Sequence, residues 1–286
     1  CEEAMTRSEP EIKVAALRIV RKMAEAICRE SAGANAGAAN PRIAGRLAAL
    51  LDCSVEGEYQ ISAAYLKQKT AQALDLSDPF ESPVIAETDS TEMFRDDLRI
   101  DTPWVIKAVH IEVMLDRVAK GQKEEVFYTA AHFSNLLKVS ERVTIRHEAG
   151  RGLISIFDRL AREQQHEIVV ELMRGLEIGD YQFSRYIPEY LGILITKLHQ
   201  DEQTEVMRDL QQLLYNVNEK VVSVTLDTLG VILQNAQDAG ADRRREIIGM
   251  LLMGMANYHR VVSQEAFQVL GRAVFGPELL TLQQKA

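Results

Sequence analysis

The sequence predicts an all-α protein: a solenoid of about six to seven helical hairpins stacked in one array. Three observations carry this reading. Apolar residues at helical spacing recur through most of the 286 residues, while Gly (16) and Pro (7) are too sparse for the tight turns of an all-β chain. Hairpin-length helical pairs repeat. Good N-cap residues at Asp101, Ser140, Asp180, Asn218 and Asn257 fall 39, 40, 38 and 39 residues apart.

The clearest element is Asn218–Asn235, NEKVVSVTLDTLGVILQN. Asn218 is a good cap, and Val222, Leu226, Leu229 and Leu233 form one apolar stripe. A helical run over 205–214 precedes it across a short turn, which makes a hairpin. One hairpin cannot bury both of its apolar faces, so it must repeat.

At the N-terminal side, Ser8-Glu-Pro-Glu11 predicts a capped helix start, with a stripe through Ile12, Ala16, Ile19, Met23 and Ile27. A small-residue linker over 31–40 precedes a short helix over 42–52, and Ser54 is read as the cap of the next. These are irregular hairpins over 8–74. Residues 75–91 hold two prolines, five acids and no helical stripe, and are read as a loop insertion. Regular repeats then occupy 92–276 of a single domain spanning 1–286. First helices are expected at 123–138, 164–176, 205–214 and 243–256, and second helices at 141–162, 181–198, 219–235 and 258–274. Pro188 should kink the 181–198 helix or split it. Glycine recurs inside the second helices at Gly150, Gly192, Gly230 and Gly271, where it predicts close approach of neighbouring helices.

The motif residues are Asp180 with Leu191-Gly192, Asn218 with Val221-Val222 and Leu229-Gly230, and Asn257 with Val261-Val262, Ala266 and Leu270-Gly271. This pattern resembles HEAT repeats, or the related armadillo class, over about 100–276 and more loosely over 8–75. The resemblance implies a right-handed α-α superhelix whose second helices line a concave partner surface. In HEAT repeats a basic residue about six positions after the cap pairs with the cap carboxylate of a neighbouring repeat. Lys107 and Arg146 stand there, Arg185 is one short, and Val224 and Ser263 depart from the pattern.

The formal charge of −9 counts against non-specific binding to nucleic acid or anionic lipid, and no apolar run reaches membrane-spanning length. Cys1, Cys28 and Cys53 lack disulfide or zinc spacing and read as reduced thiols of a cytoplasmic protein. No histidine pair, phosphate loop or nucleophile elbow stands out, so the segment is read as non-enzymatic, with no cofactor and no metal. A first residue of Cys rather than Met suggests a piece of a longer protein.

The candidate site is the second-helix groove. Its exposed positions are expected to include Lys107, His110, Arg142, Arg146, His147, Arg151, Arg185, Glu189, Lys220, Asp227, Arg260, Gln264 and Arg272. Basic residues are enriched there although the chain is acidic. The expectation is a scaffold that holds an acidic protein or peptide partner. The alternative is a helical arm of a larger enzyme that contacts other domains of its own chain.

Overall fold

A computed structural model describes residues 1–7, 9–33, 41–56, 59–76, 99, 101–120, 123–178, 180–235 and 241–275. Ser8, residues 77–91 of the expected insertion and the expected helix at 92–98 lie outside them. The described residues are α-helical with no strand, in fourteen α-helices. None of these helices is long and apolar enough to cross a membrane.

The chain divides into two compact units, Cys1–Asp116 and Arg117–Ala286. The first holds α1 (Glu2–Met5), α2 (Pro10–Gly33), α3 (Pro41–Ala49), α4 (Gln60–Ala73) and most of α5 (Trp104–Ala119). Its core gathers Val14, Leu17, Val20 and Ala24 of α2, Tyr65 and Leu66 of α4, and Val105, Val109 and Val113 of α5. The α2 face therefore differs from the expected stripe: Ile12, Ile19 and Met23 are exposed. Apolar residues cover two sides of this helix, and the side spaced by three residues is the one that meets α4 and α5. That side also carries Arg18 and Arg21, whose guanidiniums both bind Glu112 of α5. Ser54 is not a cap, because α4 starts at Gln60 after Tyr59.

The second unit is a stack of hairpins. Its first helices are α6 (Lys123–Val139), α8 (Arg162–Ile178), α11 (Gln200–Leu213) and α13 (Ala241–Met255). Its second helices are α7 (Val143–Ile156), the short α9 (Tyr181–Ser184) with α10 (Ile187–Lys197), α12 (Glu219–Asn235) and α14 (Arg260–Phe275). Pro188 explains the split between α9 and α10. Lacking an N–H, proline fits the first turn of α10, where no intrahelical donor is required. The expected 141–162 helix ends earlier, with a 3₁₀ turn over Phe157–Arg159.

Two of the five expected caps act as caps. The Asp180 carboxylate accepts from Gln182 N–H at 3.0 Å and the Asn218 amide oxygen from Lys220 N–H at 3.0 Å. The others lie outside their helices. Helix α5 starts at Trp104, α7 follows Arg142 rather than Ser140, and Asn257 accepts from His259 N–H just before α14. Each of these three residues lies three positions before the first helical residue, in the turn that leads into the helix.

Consecutive second helices pack directly: α7 on α10, α10 on α12 and α12 on α14. Glycine permits it. A Cβ on Gly150 would lie 2.5 Å from the Tyr190 ring, one on Gly192 2.6 Å from Val231, and one on Gly230 2.4 Å from Val269. The expected close approach is present at these three positions, whereas Gly271 faces open space. The Val222, Leu226, Leu229, Leu233 stripe of α12 is buried as the periodicity requires.

Gly192→Ala and Gly230→Ala should each lower unfolding free energy by about 1–3 kcal/mol, because the β-branched Val231 and Val269 have no alternative rotamer to yield into. Gly249→Ala, in open space in α13, should raise it by about 0.5–1 kcal/mol through helix propensity. Urea denaturation of the three variants checks both signs.

Candidate functional site

Arg146 was expected to face a groove, yet its side chain is 1% exposed. It projects from the first turn of α7 on the same side as Ile145, Ala149 and Gly150, which are buried too. Its Nε donates to the Ser140 carbonyl, and its Nη1 donates to the carbonyls of Leu137 at 3.3 Å and Phe183 at 3.0 Å. These oxygens lie at the C-terminal ends of α6 and α9, and that of Phe183 also accepts from Tyr186 N–H at 3.3 Å. The guanidinium lies over the Phe183 ring, 4.5 Å from its centroid, and 5.3 Å from that of Tyr186. Burial holds its pKa below the ordinary arginine value. The resemblance implied pairing with the cap carboxylate of a neighbouring repeat; that of Asp180 is engaged by its own helix. Arg146 therefore joins one hairpin to the next through carbonyls.

Around it α7 and α10 place a polar cluster. His147 Nδ1 lies 2.5 Å from the Tyr190 hydroxyl and 3.7 Å from the Glu189 carboxylate, with Tyr186 edge-on to the imidazole. The Tyr190 ring fills the Gly150 notch, and burial pushes its phenol pKa upward. Arg185 donates to the Tyr186 hydroxyl at 2.7 Å and remains exposed.

One step along the stack, α10, α12 and α14 enclose a cleft of about 280 Å³. Arg185, Pro188 and Glu189 form one wall, Asp227, Gly230, Val231 and Gln234 the floor, and Val269 and Arg272 the other wall. Arg272 reaches Asp227 at 3.2 Å and Glu265 at 3.5 Å. Burial, reinforced by Glu265, pushes the Asp227 carboxyl up to about 6, against the opposing pull of Arg272.

The remaining predicted positions divide by unit. Lys107 and His110 belong to the first unit, where Lys107 is half-buried and His110 buried, so His110 is not the exposed residue expected. In the second unit Arg142, Arg151, Lys220, Arg260 and Gln264 are exposed, and Lys220 lies 5.8 Å from the Tyr181 ring centroid. The structure thus brings Arg146, His147, Arg185 and Glu189 together, and Arg185 and Glu189 also share a cleft with Asp227 and Arg272. Arg272 does not stand as an isolated cation, because two carboxylates hold it. Glu265 was not anticipated. Its signal was its position seven residues before Arg272, two turns back on the same face of α14. No grouping of three or more His, Cys, Asp or Glu suited to a metal ion occurs among the described residues.

No protein-family model matches the chain, and a search of curated proteins finds no match.

Two outcomes follow from the site. Arg146→Leu should cost about 2–4 kcal/mol in urea denaturation, since it removes the side-chain donor shared by the Leu137, Ser140 and Phe183 carbonyls, whereas Arg142→Leu should cost under about 0.5 kcal/mol. Asp227 has a folded pKa near 6 against an ordinary value of 3.8, so it binds a proton more readily when folded. Its contribution is greatest below pH 4 and is lost as pH rises through about 6. Subtracting the stability curve of Asp227→Asn from that of the wild type should reveal a fall of about 1–2 kcal/mol between pH 4 and pH 7.

Proposed function

We propose that the second unit is a cytoplasmic interaction module of HEAT or armadillo type that holds an acidic protein or peptide segment against its second helices. The observation that carries this is the set of exposed cations Arg142, Arg151, Arg185, Lys220 and Arg260, all on or at the start of second helices in a chain of net charge −9. Long-range attraction would steer an acidic segment to this face, while the acidic remainder of the chain would repel it.

In this reading the stack is a right-handed superhelix with this face on its inside. Glycine notches bring α7, α10, α12 and α14 together, and α10 on α12 and α12 on α14 touch more extensively than the first helices α8 and α11 do. A stack with one closely spaced side curves toward that side. The cleft among α10, α12 and α14 would then lie on the concave surface, with Arg185 and Arg272 able to take a ligand carboxylate and Glu189 and Asp227 to take an adjacent donor.

Selection of a random displayed peptide library on the protein should enrich sequences rich in Asp and Glu. The triple variant Arg142→Glu, Arg185→Glu, Lys220→Glu should bind those peptides at least about tenfold more weakly, a loss of about 1.4 kcal/mol, at unchanged thermal stability. Enrichment without any acidic bias would refute the reading, and so would undiminished binding by the variant. Arg146 is left intact in this test because its role is internal.

A further inference from the structure

A second surface lies on the edge where the hairpins turn. Val139 and Ile178 end the first helices α6 and α8 and Val217 stands in the turn after α11, at matching places in three successive hairpins, 39 residues apart each time. They are 59%, 81% and 94% exposed. Large aliphatic side chains placed so openly, once per repeat, are unlike the scattered single apolar residues of an ordinary surface.

Residues beside neighbouring turns meet in space. Arg146, bound to Ser140 in the first turn, also reaches Phe183 beyond the second. Lys220, just past the third turn, lies over Tyr181 of the second. Between the third turn and the fourth, a cleft of about 370 Å³ is lined by Tyr215, Val217, Met253, Tyr258 and Val262. The apolar row therefore ends in a cavity large enough for a big hydrophobic side chain.

Packed helices stand about 8–10 Å apart, which sets the step between rungs. An α-helix presents residues i, i+7, i+14 and i+21 along one face at intervals of about 10.5 Å. The two steps match over this length. A helix also satisfies its own backbone hydrogen bonds, which an extended segment lying across these turns would have to find elsewhere. Charge supplies the last requirement. Glu141, Asp180 and Glu219 follow the rungs by two residues each, and all three are exposed. Arg142 and Lys220 come one residue later, at the start of the second helices.

We propose that this edge docks an amphipathic helix of a partner protein, with apolar residues at heptad spacing and lysine or arginine flanking them toward the acidic row. A large apolar residue at one end of that helix would enter the cleft beside Tyr215 and Tyr258. This edge adjoins the second-helix face at Arg142 and Lys220, and its existence does not depend on that face binding anything.

The test uses two synthetic helical peptides of about 22 residues, with Leu at every seventh position and either Lys or Glu at the flanking positions. Fluorescence anisotropy against the full chain should show the Lys peptide binding at least about tenfold more tightly than the Glu peptide. Ile178→Asp combined with Val217→Asp should remove that binding. Both sites are exposed, so the circular dichroism spectrum and melting point should not move. Glu141→Lys with Glu219→Lys should reverse the peptide preference. Equal affinity for the two peptides, no binding of either, or binding unchanged in the Ile178/Val217 variant would each overturn the proposal. It would also fail if the wild type sediments as a dimer that those two substitutions make monomeric, because the occupant would then be a second copy.

Discussion

Close approach of consecutive second helices is the constraint on which the second unit rests. Three glycines, Gly150, Gly192 and Gly230, each leave a notch that a side chain of the next second helix fills: Tyr190, Val231 and Val269. Helices that share a notch cannot slide past one another without a clash or a void, so the register of one hairpin on the next is set there. The position of every surface group on those helices follows from that register. The cleft among α10, α12 and α14 is one consequence, since Gly230 and Val269 both line it.

Two arginines of the stack illustrate how differently the same charge is used. Arg146 is enclosed and spends its donors on main-chain carbonyls at helix ends, which ties the turn after α6 to the end of α9. Arg272 lies at a cleft wall and is balanced by Asp227 and Glu265. Only the first is required for packing. A ligand carboxylate can compete for the second, and its competitor Asp227 is already a reluctant anion because it is largely buried. The cleft is therefore balanced in charge, whereas Arg142, Arg151, Arg185, Lys220 and Arg260 are exposed cations of the second helices.

A stack of hairpins has separable surfaces, and this one differentiates them by chemistry. The second-helix face carries cations over tightly packed backbones. The turn edge carries single exposed aliphatics followed by acids. Both patterns arise from local sequence repeated at one period.

Much of this was legible in the sequence. The α12 stripe, the Asp180 and Asn218 caps, the break at Pro188 and the glycine notches are all consequences of backbone chemistry over a few neighbouring residues, and local chemistry is written in order along the chain. What the sequence could not decide was which of two apolar faces is buried, and which charged residue lies inside. On α2, Ile12 and Ile19 compete with Val14 and Leu17, and only the positions of α4 and α5 select the latter pair. Arg146 reads as one more surface cation until Phe183, 37 residues away, brings its carbonyl within 3.0 Å. Burial depends on what arrives from elsewhere in the chain. Periodicity along one helix determines that a face exists, and only tertiary packing decides what covers it.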